Sequence, residues 1–340
     1  MAKLSAQPRG VVASLGRRRF AAIDDVVEPF AADRRSVMWF CIGYSQAHCM
    51  RFPVIIFCAL PLMLPCFVFG QAISAEPAEE RVRTFVYKQT LQRDLELIVN
   101  FPLEWSQSDR RSAIVFYFGG GWAFSALEHF ERQAEYFASR GMVSVRPDFR
   151  VKLRDGTTPA ESVEDAKSAI RWIRAHADLL GIDPQRIVAS GGSSGGHLAA
   201  CTAQCSGPED AGEDFSISSE PNALILFNPL LQYAGLREVE QTYPVESEEL
   251  GRQISPVLHI NVGDPPALLL FGTEDVLLKS ASTYVEKSKA LGNRIEMYLA
   301  EGEDHAFFKE SPWYEHTVVE ADSFLVSLSY LDRIRVSEQP

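Results

Sequence analysis

Positive charge is scarce in this chain of 340 residues: 33 Lys and Arg stand against 45 Asp and Glu, a formal charge of −12. A phosphate-binding surface needs clustered cations, so no nucleic-acid partner is expected. Cysteine is sparse as well. Four of the six (Cys41, Cys49, Cys58 and Cys66) fall within the first 75 residues, and only Cys201 and Cys205 lie beyond. Those two sit four apart on an expected helix, where disulfide geometry is poor, so they read as two buried small hydrophobes. No metal-ligand spacing, dinucleotide fingerprint or P-loop lysine occurs, so neither metal nor cofactor is expected. Long apolar runs are missing too. The stretch from Val54 to Phe69 carries Pro61 and Pro65 and falls short of the roughly 20 residues of a membrane span.

That short run nonetheless has a layout. Met50 and Arg51 give a positive start, Val54 to Phe69 an apolar centre, and Gly70 to Ala75 a small-residue exit. This is the pattern of a secretory signal peptide over 50–75, which implies a secreted or periplasmic protein with no stable membrane association once the segment is removed. Met50 then reads as the true start, with residues 1–49 a wrongly assigned N-terminal extension. Without residues 1–75 the chain keeps 25 Lys and Arg against 41 Asp and Glu (33 less 8, 45 less 4).

From Arg81 the pattern is that of an alternating α/β domain, spanning 80–335. "RVRTFVYK" and "LQRDLELIVNFP" alternate apolar and polar positions, as an antiparallel hairpin does. "SAIVFYF" (112–118) is a continuous apolar run, as in a strand buried on both faces. Further strands are expected at 142–149, 186–190, 223–229, 266–272 and 294–300. Thr158-Pro159 opens a helix with a cap and a first-turn proline. Val163, Ala166, Ile170, Ile173 and Ala177 continue it at three- and four-residue spacing up to Gly181. Helices are also expected over 127–140, 279–291 and 313–327. Such alternation implies a mostly parallel sheet with helices on both faces. Residues 230–264 carry no strong periodicity, and a connection of that length is read as a cap or lid over the strand ends.

Between strand and helix stands "VASGGSSGGHLAA" (188–200), which contains G-x-S-x-G twice, shifted by one residue. A serine exposed on a sharp strand-to-helix turn needs small residues two positions to either side. Ser193, between Gly191 and Gly195, satisfies this, and so does Ser194, between Gly192 and Gly196. Sterics leave both open. A serine nucleophile also needs an orienting acid and a base, in the chain order Ser, Asp or Glu, His. "LLLFGTEDVLL" offers Glu274 and Asp275 after a late strand. Of the two later histidines, His316 falls within an expected helix. His305 lies between the last strand and the last helix, where the base belongs. Asp304 is rejected as its partner because adjacent side chains rarely face each other.

Gly191-Gly192-Ser193-Ser194-Gly195-Gly196-His197-Leu198 resembles the elbow of the hormone-sensitive-lipase-type esterases of the α/β-hydrolase superfamily, in particular their secreted acetylxylan-esterase-like members. The resemblance extends over nearly the whole of 80–335. It implies the α/β-hydrolase fold with a small cap insertion, and Ser193 as nucleophile. "YFGGGW" (117–122) resembles the family's H-G-G-G loop, which implies that the N–H groups of Gly120, Gly121 and Ser194 bind the oxyanion. Phe118 stands where that pattern has His, so its side chain gives the loop no polar anchor. The family spacing selects Asp275 over Glu274, and "HAF" at His305 resembles H-G-F with Ala306 for Gly. Trp122 is a candidate substrate contact, His197 a structural residue, and Asp148 and Arg150 of "DFR" members of local charge pairs.

The resemblance thus implies a secreted serine ester hydrolase that works through an acyl-enzyme, without cofactor, on short-chain (acetyl) esters of small molecules or of carbohydrates such as acetylated xylan. A general short-chain carboxylesterase, a serine peptidase of the same fold and a non-catalytic hydrolase-like binding protein are the alternatives.

Overall fold

Strands that are apolar at every position can only lie in the middle of a sheet covered on both sides, and the strands over Ala223–Phe227 and Ala267–Gly272 meet that condition. The computed structural model describes residues 81–333 apart from Tyr243. The expected signal peptide and the extension before it lie outside the described residues. One sheet of eight strands runs in the order β1-β2-β4-β3-β5-β6-β7-β8. β1 (Val82–Gln89) and β2 (Asp94–Asn100) form the expected antiparallel hairpin, and β2 pairs antiparallel with β4 (Val143–Pro147). The remaining pairings are parallel, through β3 (Arg111–Tyr117), β5 (Ile182–Gly192), β6 (Ala223–Phe227), β7 (Ala267–Gly272) and β8 (Ile295–Ala300).

Side chains alternate across the sheet, so each strand feeds two cores. Ala113, Val115 and Tyr117 of β3 join one core, with helices α3 (Pro159–Ala175), α5 (Ser194–Gln204) and α8 (Leu278–Ala290). Ile114 and Phe116 face the other way, onto Phe137 of α1 (Glu131–Ser139) and Phe324 and Leu325 of α9 (Trp313–Ser327). Burying each such Leu, Ile or Phe stabilises the fold by roughly 1.5–3 kcal/mol. The architecture is the α/β-hydrolase fold expected from the sequence.

Two local details show the sequence at work. α3 is closed by a capping box. The Thr158 side chain accepts from the Ala160 N–H, and Glu161 accepts from the Thr158 N–H at 2.9 Å. The periodicity predicts one helix through to Gly181, but the chain breaks at His176. There Nδ1 lies 2.8 Å from the Trp172 carbonyl, beside which the backbone turns (φ −104°, ψ 25°) before a single turn, α4 (Ala177–Leu180). That carbonyl also keeps its backbone partner, the His176 N–H at 3.0 Å, and the His176 ring stacks on Trp172 with centroids 4.0 Å apart. Gly181 ends the turn in the left-handed region, as expected.

The chain runs from β3 to β4 on one side of β3, then returns to β5 on its other side. This reversal makes a topological switch point at the carboxyl ends of β3 and β5, where open α/β sheets bind ligands. The segment 230–264 contributes two short helices, α6 (Arg237–Thr242) and α7 (Glu248–Gln253), and packs against α5 through Ile254.

A candidate active site at the switch point

At the end of β5 the backbone is forced into a turn. Ser193 has φ 55° and ψ −118°, a conformation that costs a non-glycine residue on the order of 1–3 kcal/mol. The surroundings hold it there. Its N–H donates to the Phe227 carbonyl at 3.0 Å, and its carbonyl accepts from the His197 N–H at 3.0 Å. The flanking glycines are needed for close approach. A Cβ on Gly195 would stand 2.1 Å from the Tyr117 carbonyl oxygen, and one on Gly191 would stand 2.5 Å from Gly195. The two overlapping motifs are thereby separated. Ser193 sits at the apex, whereas Ser194 is buried in the first turn of α5, its hydroxyl without a hydrogen bond among the described residues.

The loop after β7 brings up a carboxylate. Asp275 is buried; its Oδ1 accepts from the Leu277 N–H at 2.8 Å, and its Oδ2 lies 2.8 Å from Nδ1 of His305. Glu274 points to solvent. The loop bearing His305 passes so close to β7 that a Cβ on Gly272 would stand 2.2 Å from the Glu303 carbonyl oxygen. This contact is what brings acid and base together. The other ring nitrogen, Nε2, lies 2.9 Å from Ser193 Oγ. A carboxylate can only accept, so Nδ1 carries the proton and bare Nε2 accepts from the serine hydroxyl. The neighbouring Asp304 accepts the backbone N–H of His305 at 2.7 Å and does not engage the ring. His316 is exposed on α9.

The loop after β3 forms the third wall. Phe118 is buried and stacks on Phe149, with ring centroids 3.9 Å apart. Gly120 (φ 145°) and Gly121 (φ 60°) follow in backbone conformations that favour glycine. The Gly120 carbonyl accepts from the N–H groups of Ala123 and Phe124, while the Gly120 and Gly121 N–H groups donate to no acceptor among the described residues. The Ser194 N–H, at the first position of α5, has no intrahelical partner either. Trp122 is buried, packs edge-on against His197 and Tyr233, and borders a cavity of about 420 Å³ with Lys152, Leu153, Thr157 and Pro244. Lys152 and Leu153 lie in the single turn α2 (Lys152–Asp155).

His197 is structural, as expected: Nε2 lies 2.7 Å from the Ile254 carbonyl, and burial pushes its pKa down to about 4. Cys201 and Cys205 are buried and form no disulfide. Asp148 pairs with Arg93 and Arg154, and Arg150 with Asp165 and Glu164. Among the described residues no group of three or more His, Cys, Asp or Glu is placed to hold a metal ion. None of the described helices is long and apolar enough to cross a membrane.

Two residues in contact with this site carried no sequence signal. Asn228, just past β6, lies against His305. His129, in a short 3-10 turn over Leu127–Phe130, accepts the Gly119 N–H at 3.0 Å through Nδ1. Burial, with a smaller contribution from Lys309, pushes the His129 pKa down to about 4. Neither residue belongs to a motif; only the Phe at position 118, in place of a polar anchor, hinted that an anchor would come from elsewhere.

The BD-FAE family model matches residues 101–291, more than half of the chain. The chain is 42% identical to Thermogutta terrifontis esterase 2 in its structure phosphoramylated by tabun, with a TM-score of 0.71 over 76% of this chain and 98% of that one. To the propionate-bound structure of the same planctomycete esterase it is 43% identical, with a TM-score of 0.70 over the same shares of each chain. Among curated proteins it is 28% identical over 253 residues to a probable isoprenylcysteine alpha-carbonyl methylesterase of Arabidopsis thaliana. That match covers 68% of this chain and 52% of the plant protein, so the chain spans about half the length of this relative.

Proposed function

This chain belongs to the BD-FAE family, within the hormone-sensitive-lipase-type esterase branch of the α/β-hydrolase superfamily, and from that premise we propose that it is a serine carboxylic ester hydrolase acting through an acyl-enzyme on short-chain esters. The observation that carries the reading is the unbroken chain Ser193 Oγ, His305, Asp275, with contacts of 2.9 and 2.8 Å. A serine hydroxyl is a weak nucleophile until a base takes its proton. Ser193 attacks the ester carbonyl as His305 Nε2 receives that proton. Asp275 holds the ring in the tautomer this requires and stabilises the imidazolium that forms.

The carbonyl oxygen, now an oxyanion, accepts from the N–H groups of Gly120, Gly121 and Ser194. Each such donor contributes about 10²–10³ in kcat where it has been removed from other enzymes. His305 protonates the leaving alcohol. Water then attacks the acyl-serine with the same base and the same donors, and frees the acid. Short acyl groups are supported by the likeness to an esterase solved with propionate bound. A carbohydrate ester such as acetylated xylan is supported by the acetylxylan-esterase-like motifs, with Trp122, next to the oxyanion loop, the candidate substrate contact. The signal-peptide layout of residues 50–75 supports work outside the cytoplasm.

The test is intact-mass spectrometry and peptide mapping after treatment of the full chain with a fluorophosphonate, followed by a p-nitrophenyl ester series of rising acyl length. One adduct on Ser193 and a preference for acetate to butyrate are expected. An adduct on another residue, or none, would overturn the assignment of the nucleophile. Acetate release from acetylated xylan decides the carbohydrate reading separately.

A further inference from the structure

The oxyanion loop has a problem of its own. Its donors sit on two glycines, Gly120 and Gly121, whose backbones have the widest conformational freedom of any residue. Preorganised donors are what make such a site effective, so something outside the loop must fix their aim. On the C-terminal side the Gly120 carbonyl is tied by the Ala123 and Phe124 N–H groups. On the N-terminal side stands Phe118, buried against Phe149 and carrying no polar group.

We propose that His129 is the positioning residue of this loop: its Nδ1 holds the Gly119 N–H and so aims the two following amides, those of Gly120 and Gly121, at the substrate oxyanion. This rests on the ester hydrolase reading above. A backbone N–H can only donate, so the 3.0 Å contact itself requires Nδ1 to be bare. The ring is held from several directions. Its own backbone N–H donates to the Ala126 carbonyl at 3.0 Å. It lies against Phe130 (centroids 4.8 Å) and stacks on Phe308 (centroids 5.7 Å, 25° between planes).

The same aromatic group reaches the other two walls of the site. The Phe308 and Phe130 rings approach within 2.9 and 3.2 Å of where a Cβ on Gly192 would lie, directly under the elbow. Phe308 also follows His305 closely on the base loop. Gly119 completes the arrangement, because a Cβ there would lie 2.9 Å from the Gly192 carbonyl oxygen and 3.4 Å from the Ser193 Cβ. His129 therefore ties the oxyanion loop to a cluster that also supports the nucleophile and the base. Burial, ahead of the neighbouring Lys309, lowers its pKa to about 4, so Nδ1 stays available as an acceptor across the neutral range.

Three variants of the full chain test this. His129→Leu and His129→Phe lack an acceptor, the latter keeping an aromatic ring; His129→Asn places Oδ1 about where Nδ1 stands. Melting temperature is measured for each, with kcat and KM for p-nitrophenyl acetate. The expected result is a fall in kcat of about 10- to 100-fold for Leu and Phe, at or below the loss of a whole oxyanion donor. KM should stay within about threefold, and Asn should recover most of the rate. If one acceptor-free variant fails to fold, the other is compared with Asn. Wild-type kcat in Leu or Phe, or an equal fall in all three, would overturn the proposal. A wild-type chain that neither turns over the ester nor takes a fluorophosphonate on Ser193 would instead sink the ester hydrolase reading, and this inference with it.

Discussion

The side-chain amide nitrogen of Asn228 lies 3.3 Å from both ring nitrogens of His305 at once. No position in the plane of an imidazole is equidistant from both nitrogens at that separation without overlapping a ring carbon. The amide therefore covers the ring face, and neither contact is a lone-pair hydrogen bond; those are taken by Asp275 and Ser193. Asn228 is fully buried and its backbone N–H is tied to the Leu270 carbonyl at 2.7 Å, so the cover is rigid. It fixes the ring against rotation out of line with Ser193. Asn228→Ala should lower kcat/KM by about tenfold, an effect of slight misplacement. Asn228→Asp places a negative charge over the imidazolium and should raise the acid limb of the kcat/KM profile by about one pH unit. A profile unmoved by Asp, with full activity in Ala, would reduce Asn228 to packing.

The two serines of the elbow should behave oppositely. Ser193→Ala removes the group at the apex and should cut turnover of p-nitrophenyl acetate by at least about 10⁴-fold, the order seen when a triad member is lost. Ser194→Ala keeps its backbone N–H and loses a hydroxyl that makes no hydrogen bond among the described residues. It should retain most activity, with stability equal or higher because an unsatisfied buried hydroxyl is gone. Loss of turnover in Ser194→Ala alone would reverse the assignment.

Acid should destabilise the protein in a defined window. His129 and His197 have pKa values of about 4, against 6.5 for the free side chain, in both cases chiefly through burial. Between pH 6.5 and 4 the unfolded chain takes up these protons and the native state does not, so stability falls as pH drops through that window and levels off below it. Carboxylates titrate nearby, so the slope needs a control. In His197→Gln an amide N–H replaces Nε2 as donor to the Ile254 carbonyl and cannot titrate. Its melting temperature should fall less between pH 7 and 4.5 than that of the wild type. Parallel curves would show that His197 is not among the groups responsible.

Much of this was legible in the sequence, and the reasons are physical. Strands such as β6 and β7 are buried on both faces and so are apolar throughout, which leaves an unmistakable run. α9 was bounded at 313–327, where the structure has it. Elbow sterics and the order of nucleophile, acid and base narrowed the candidates to a few positions, and the family resemblance chose Ser193 over Ser194 and Asp275 over Glu274. Asn228 and His129 were not found, because they act on the site through space from strand and turn ends, with no fixed spacing to the groups they touch. The break at His176 was missed for a related reason: periodicity reports which face is buried, and a change of backbone angles at one residue leaves that pattern intact.

Ala306 offers the sharpest test of backbone strain next to the base. The resembling motif has glycine after the histidine, and here Ala306 sits at φ 65° and ψ 21°, in the left-handed region. An L-residue there costs roughly 1–2 kcal/mol, while Gly in its place gives back about 0.4–1 kcal/mol through a freer unfolded chain. The balance favours Gly by up to about 1.6 kcal/mol, so Ala306→Gly should raise the melting temperature by as much as about 3–6 °C, at roughly 2–4 °C per kcal/mol in a domain of this size. Ala306→Val should do the opposite, since a branched Cβ is strongly disfavoured at positive φ. Its melting temperature should drop, and kcat with it, because the neighbouring His305 would lose its line to Ser193. Thermal unfolding of both variants decides the point. If Gly lowers stability as much as Val does, the Ala306 methyl must be held by contacts worth more than the strain, and the base loop owes its shape to packing against the Phe307–Phe308 cluster and not to backbone tolerance.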